Sequence, residues 1–215
     1  MTKKRETREE RLKRFEDFDR KLNVDILCGI DEAGRGCMAG PIYSACVVLP
    51  KNICDIEGLD LNDSKKIAEK KRYKLADMIK EIALGWGIGS VSNETIDAIG
   101  IQKANFLAFQ KALENMKESS GLNPDLVLID GCYNNIPIPN HKTLKKGDTQ
   151  SACIAAASIL AKTSRDKYVI DICHKEYPDY NFEKHKGYGT KEHRDAIIEY
   201  GISKYHRKSF CKKYI

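Results

Sequence analysis

The sequence predicts an α/β fold in which a central β-sheet is flanked by helices, and three observations carry that expectation. Short apolar runs of strand length alternate with longer segments of helical periodicity. Two of those runs, at residues 26–30 and 126–129, each lead into an acid with glycine close by. No apolar stretch approaches the roughly 20 residues of a membrane span, and 32% of the chain is charged.

Each element follows from its own pattern. Residues 1–22 are dense in charge and space Leu12, Phe15 and Phe18 by threes, which predicts a short helical extension, largely exposed outside the main core. The apolar run Ile26–Ile30 is a buried strand running into Asp31. Residues 42–49 form a second strand, stopped by Pro50. Residues 66–82 have helical periodicity through Ile67, Leu75, Met78, Ile79 and Ile82, and Trp86, Ile88 and Val91 alternate with small residues in a third strand. Residues 93–117 read as one amphipathic helix, with Phe106, Phe109 and Leu113 among its apolar positions. Asn123-Pro124 breaks it, and Leu126–Ile129 is a wholly apolar strand ending at Asp130-Gly131. A Pro-punctuated segment leads to Lys145–Asp148. Residues 151–176 form a helix that starts Ala-rich, and a final helix covers about 190–200. The organisation is thus an extension over 1–22 and one main domain over 23–215, closing in a small helical region from about 176.

Composition narrows the functional classes. The charge-rich N-terminus has no apolar segment of the kind a secretory signal needs, so a cytoplasmic location is expected. Eight cysteines without a Cys-x-x-Cys pair, and without histidine at zinc spacing, read as structural thiols; Cys28 and Cys46 sit inside apolar strands. The net charge of +6 is compatible with a polyanionic partner. From residue 201 onward there is no acid, only Lys204, Arg207, Lys208, Lys212 and Lys213. That stretch is either a solvated tail or a phosphate-backbone contact.

The adjacent acids Asp31 and Glu32 carry the chemistry. Two carboxylates at the end of a buried strand are costly unless protonation, a basic partner or a bound cation neutralises them. The turn Gly34-Arg35-Gly36 follows at once, where glycine lets backbone approach a ligand. If the strands ending in Asp31 and Asp130 are neighbours in one sheet, their carboxylates meet at the same edge, and Asp148 adds a further acid. An all-oxygen cluster of this kind suits Mg²⁺ or Mn²⁺, and a pair of such ions suits phosphodiester displacement. Adjacent strand residues point to opposite faces, so Asp31 and Glu32 share one metal site only if the chain bends there, as Ala33-Gly34 would permit. Taken singly, each acid reads more readily as a strand-end turn residue or a surface ion pair.

The segment Gly29-Ile-Asp-Glu-Ala-Gly-Arg-Gly36, followed by Ala39-Gly-Pro41, resembles the signature of the ribonuclease HII family. The resemblance continues through Asn62–Lys66, Ile129–Gly131, Lys146–Asp148, Ala156–Lys162, Arg165-Asp166, His185–Tyr188 and His206–Phe210, in order and at family spacing. The separation of Asp130 and Asp148 resembles the bacterial branch, and alanine after Glu32 resembles type HII more than type HIII. Ala155 and Thr163-Ser164 depart from residues the family often carries.

What the resemblance implies is specific. The fold would be ribonuclease H-like, with a mixed sheet. Asp31, Glu32, Asp130 and Asp148 would be the catalytic, metal-binding acids of a site for two Mg²⁺ or Mn²⁺ ions. The substrate would be RNA in RNA–DNA hybrids, or a single ribonucleotide in duplex DNA cut on its 5′ side to leave 3′-hydroxyl and 5′-phosphate ends. Gly34, Arg35 and Gly36 would read the 2′-hydroxyl. Tyr188 would pack on the following sugar, although alone it reads as a packing aromatic. Ser64, Lys65, Lys162 and Arg165 are candidate phosphate contacts, the last two on one helix face unless Arg165 pairs with an acid such as Asp166. A monomer is expected, and the basic C-terminus is a candidate contact for DNA or a replication or repair partner. Two other readings stay open: a polynucleotidyl transferase of the transposase or integrase type, and a hybrid-binding module without cleavage.

Overall fold

Strand β1 (Leu27–Ala33) is the centre of the sheet, and every other element is arranged around it. The computed structural model describes residues 6–214, so residues 1–5 of the expected extension and residue 215 lie outside the described residues. Strand β1 pairs antiparallel with β2 (Ile42–Val48) and parallel with β4 (Leu126–Asp130). Beyond these lie β3 (Gly85–Val91) and β5 (His141–Leu144), giving the order β3-β2-β1-β4-β5 in a mixed five-stranded sheet. The expected α/β class is therefore present. Strand β5 was not foreseen, because four half-exposed residues carry no apolar alternation.

Strand alternation assigns each side chain of β1 to a layer. Cys28 and Ile30 face one side, against Phe109, Ala112 and Met116 of α4 (Ile101–Ser120). Gly29, Asp31 and Ala33 face the other, under the Ala-rich helix α5 (Ala152–Tyr168). Helix α5 lies so close that a Cβ on Gly29 would sit 2.2 Å from the Cys153 carbonyl carbon. The expected single helix over 93–117 is two, α3 (Asn93–Ile99) and α4, separated at Gly100. Helix α2 (Glu69–Ile82) packs outside α5. The expected helix over 151–176 ends as α5 at Tyr168 and passes into a π-helical stretch over Val169–His174.

The N-terminal helix α1 (Arg8–Lys21) departs from expectation. It starts at a capping box between Thr7 and Glu10, but it is not an exposed appendage. Leu12 and Phe15 are buried in the α5-side core. Arg8 and Arg11 donate to the carbonyls of Leu59 and Leu61 at 2.6 and 2.7 Å. Asp19 accepts the Ala152 amide at the start of α5 at 3.0 Å. The apolar threes of α1 pack on the core, and their charged neighbours Arg8 and Arg11 reach over them to cap its loop carbonyls.

The chain closes in a helical region comprising α6 (Phe182–His185), α7 (Lys191–Tyr200) and α8 (Lys208–Cys211), with its own cluster around Tyr180, Phe182 and Tyr205. The basic C-terminal segment is no free tail: Ala39 and His206 form a β-bridge, and Arg207 is fully buried. Among the described residues, no helix is long and apolar enough to cross a membrane. All eight cysteines are free thiols, six of them buried, and the Cys28 and Cys46 sulfurs face each other at 2.7 Å between β1 and β2.

Candidate active site

The parallel pair β1–β4 places the first two acids. Ile30 is in register with Ile129, so the next residues, Asp31 within β1 and Asp130 at the end of β4, lie side by side on adjacent strands. Both point to the α5 side. Asp148 lies in the 3₁₀ turn Gly147–Thr149 that leads into α5, and Asp130 Oδ1 accepts the Gly147 amide at 2.6 Å. The register thus sets Asp31 beside Asp130, and the Gly147 hydrogen bond ties Asp130 to the turn that carries Asp148.

Glu32 is placed differently. Strand β1 continues through Ala33 with Glu32 paired to Ser44, so the chain does not bend between the two adjacent acids. Asp31 faces α5, whereas Glu32 faces α4, where Tyr133 Oη donates to both carboxylate oxygens at 3.2 Å. Among the described residues, no three Asp, Glu, His or Cys side chains are drawn close enough to ligate one ion as they stand. The acids nevertheless share one electrostatic environment. Burial pushes the Asp31 carboxyl well above its usual range, and the charges of Glu32 and Asp130 add to the shift. Glu32 and Asp130 are raised chiefly by burial, and Asp148 by burial and then by the charges of Asp130 and Asp63. Lys65 opposes the shift at Asp130 and Asp148, and Arg35 at Glu32. Four oxygen-donor acids with this little counter-charge fit a hard divalent cation.

The turn after β1 is built by two buried arginines. Arg165 is fully buried and donates to the carbonyls of Pro41, Ala39 and Lys186 at 3.1, 3.0 and 2.8 Å. Its expected role as a phosphate contact is therefore corrected: every arm of the guanidinium is spent on backbone, and its pairing with Asp166 is not made either. Lys162 takes Asp166 instead, at 2.8 Å. Arg207 donates to the carbonyls of Gly40, Arg35 and Gly34 at 3.0, 3.0 and 2.8 Å. Gly34 has φ +88°, and a Cβ there would fall 1.9 Å from Arg165 Nε, so only glycine fits. The Gly34 carbonyl takes both Arg207 and the Cys37 amide. Gly36 faces open space.

Three other expected substrate residues take different places. Ser64 is buried, with its hydroxyl 2.8 Å from that of Ser158 on α5, so it lines the wall and does not project. Lys65 is exposed beside the acids. Tyr188 is 36% exposed, its ring 5.2 Å from Lys162 Nζ and 5.6 Å from the Arg165 guanidinium.

Tyr188 is held from behind by histidines that sequence reasoning did not select. The Ser203 amide donates to His206 Nδ1 at 2.8 Å, which places the His206 proton on Nε2. That nitrogen is 3.0 Å from His193 Nε2, so His193 carries its proton on Nδ1 and donates to the Tyr188 carbonyl at 2.9 Å. Burial holds both histidines far below their usual value, to about 3 for His193 and about 4 for His206. Asn105 and Tyr133 around Glu32 were also missed. A signal existed for Asn105, an amide within the apolar stripe of α4; Tyr133 had only its closeness to Asp130-Gly131.

With this geometry in place, comparison with known proteins is decisive. The sequence profile described as Ribonuclease HII matches residues 28–213. The chain belongs to the ribonuclease HII family. It is 49% identical over 191 residues to a Ribonuclease HII of Bacteroides thetaiotaomicron, covering 88% of this chain and 92% of that one. It is 49% identical over 194 residues to one of Caldicellulosiruptor saccharolyticus, covering 89% and 90%. Among solved structures, the ribonuclease H2 from Pyrococcus horikoshii OT3 superposes with a TM-score of 0.73 at 22% identity, over 88% of this chain and 97% of that one. The ribonuclease HII solved in a PCNA complex from Archaeoglobus fulgidus gives 0.68 at 24%, over 86% and 94%. A Bst-RNase HIII solved with Mn²⁺ gives 0.65 at 18%, over 81% and 61%. These structures establish the ribonuclease H-like fold, and membership of the ribonuclease HII family makes this chain a ribonuclease H-type hydrolase.

Proposed function

We propose that this ribonuclease HII-family enzyme hydrolyses RNA in RNA–DNA hybrids and cuts 5′ to single ribonucleotides in duplex DNA, leaving 3′-hydroxyl and 5′-phosphate ends. The observation that carries the reading is the side-by-side placement of Asp31 and Asp130 on adjacent parallel strands, the first of which runs on into the Gly34–Gly36 turn. Divalent ions, Mg²⁺ or Mn²⁺, held by Asp31, Glu32, Asp130 and Asp148 would lower the pKa of the attacking water and neutralise charge on the departing 3′-oxygen. The protein's own part is positional. Arg165 and Arg207 fix the turn, and the open side of Gly36 admits a sugar to the backbone. Because the Gly34 carbonyl is already taken, the 2′-hydroxyl is read by the turn's amides and by the remaining lone pair of the Arg35 carbonyl.

Tyr188 packs on the sugar that follows the ribonucleotide, where a 2′-hydroxyl would crowd the ring. Lys65 and Lys162 provide positive charge toward phosphate, and Ser64 supports the wall beside them. The exposed Lys208, Lys212 and Lys213 form a basic face for DNA or a replication or repair partner, and the enzyme works as a monomer.

The test is a duplex with one embedded ribonucleotide, incubated with and without Mg²⁺ or Mn²⁺ and mapped at the cut. A metal-dependent cut 5′ to the ribonucleotide is expected. Joined strands would indicate a polynucleotidyl transferase, and binding without any cut would indicate a hybrid-binding module.

A further inference from the structure

Glu32 is held by neutral donors, and that choice of partners is informative. The Tyr133 hydroxyl is 3.2 Å from each carboxylate oxygen, so its proton is shared across the carboxylate and fixes its plane. Asn105, fully buried, directs Nδ2 to the same place, 3.2 Å from Tyr133 Oη and 3.5 Å from Glu32 Oε2. Among the described residues its Oδ1 is buried without a partner, so the amide is committed to the donor side. Neutral donors orient a carboxylate without cancelling its charge, which is what a metal-binding acid requires. Arg35 does not take Glu32 as an ion pair among the described residues. Its guanidinium lies instead over the Tyr133 ring, 5.3 Å from the centroid. The ring is itself fixed edge-on by Phe106 and Phe109, with centroids at 5.7 and 5.9 Å. Tyr133 therefore touches an acid with its hydroxyl and the Gly34–Gly36 turn with its face.

We propose that Tyr133, backed by Asn105, is a positioning residue that sets Glu32 for metal binding through its hydroxyl and Arg35 for ribonucleotide recognition through its ring. The proposal rests on the reading of Glu32 as a metal-binding acid and of Gly34–Gly36 as the reader of the 2′-hydroxyl. The two ends of Tyr133 act separately, so they separate by substitution. Tyr133→Phe removes the hydroxyl and keeps the ring; Tyr133→Leu removes both.

Mn²⁺ binding is measured by calorimetry without nucleic acid, and cleavage is measured as the ratio between single-ribonucleotide and uniform-hybrid duplexes. Tyr133→Phe is expected to weaken Mn²⁺ binding about tenfold, at the lower end of the range for lost outer-shell contacts, and to leave the cleavage ratio unchanged. Tyr133→Leu is expected to weaken Mn²⁺ binding equally and also to lower the ratio. Wild-type Mn²⁺ affinity in Tyr133→Phe overturns the hydroxyl's role, and an unchanged ratio in Tyr133→Leu overturns the ring's. Glu32→Gln, measured in parallel, separates this inference from the reading beneath it. If Glu32→Gln keeps Mn²⁺ affinity and turnover, the assignment of Glu32 itself fails. If Glu32→Gln loses both while Tyr133→Phe is unaffected, only the positioning role fails.

Discussion

Asp130 Oδ1 accepts the Gly147 amide at 2.6 Å, tying the acid at the end of β4 to the turn that presents Asp148. One carboxylate thus fixes the position of another. Burial, and then the charge of Asp130, raises the Asp148 carboxyl.

Asp130→Asn keeps an oxygen for the Gly147 amide and removes the charge. The thermal midpoint should stay close to wild type, and duplex binding by fluorescence anisotropy should be retained. Turnover should fall about a thousandfold, since the acid's share of transition-state stabilisation is several kcal/mol. Near-normal cleavage would remove Asp130 from the site.

Asp31 gives a pH signature. Its folded carboxyl titrates well above the ordinary value of 3.8, so the folded chain binds this proton more tightly than the unfolded chain. The stability contributed is full below the unfolded value and is lost as pH rises through the folded one. Without divalent ions, Asp31→Asn should gain on wild type in thermal midpoint as pH rises above the ordinary carboxylate value of 3.8. Added Mn²⁺ should shrink that gain. A pH-independent difference would show that Asp31 does not carry the burial and repulsion described.

Phe15→Ala tests the docking of α1. Phe15 is 1% exposed in the α5-side core, and truncating a buried phenylalanine costs about 3–5 kcal/mol. Denaturant unfolding should show that loss. A cost near zero would mean that α1 does not belong to the core.

The His193–His206 pair predicts an acid limb. Both folded pKa values lie below the ordinary 6.5, at about 3 and about 4. Their contribution is therefore full above 6.5 and is lost as pH falls through the folded values. His193→Gln should lower stability at neutral pH yet make its decline between about pH 6.5 and about pH 3 less steep. Because His193 supports the Tyr188 carbonyl, the same variant should weaken preference for single ribonucleotides. An equally steep acid decline would place the titration elsewhere.

Much of the fold was legible because it is written in short-range pattern. The apolar runs of β1, β2 and β4, the alternation in β3, and the acids at two strand ends are local, and they led to the sheet and to Asp31, Asp130 and Asp148. Strand β5 escaped because an edge strand with half-exposed residues has no apolar signature. The break at Gly100 escaped because amphipathic periodicity runs through it. Arg165 was misjudged because a lone arginine on a helix looks the same whether its guanidinium meets phosphate or three carbonyls.

The sequence by itself determined the α/β class, the strands that carry the acids, and the glycine that the turn at residue 34 requires, since these depend on periodicity and on backbone conformation. Only the tertiary structure decided which acids share a face, that α1 and Arg207 belong to the core, and that Tyr133, Asn105 and the histidines stand behind Glu32 and Tyr188. The reason is that a hydrogen bond between residues a hundred positions apart leaves no local trace. Asp31 and Glu32 are adjacent in the chain, yet the pleat of β1 sends one toward α5 and the other toward α4.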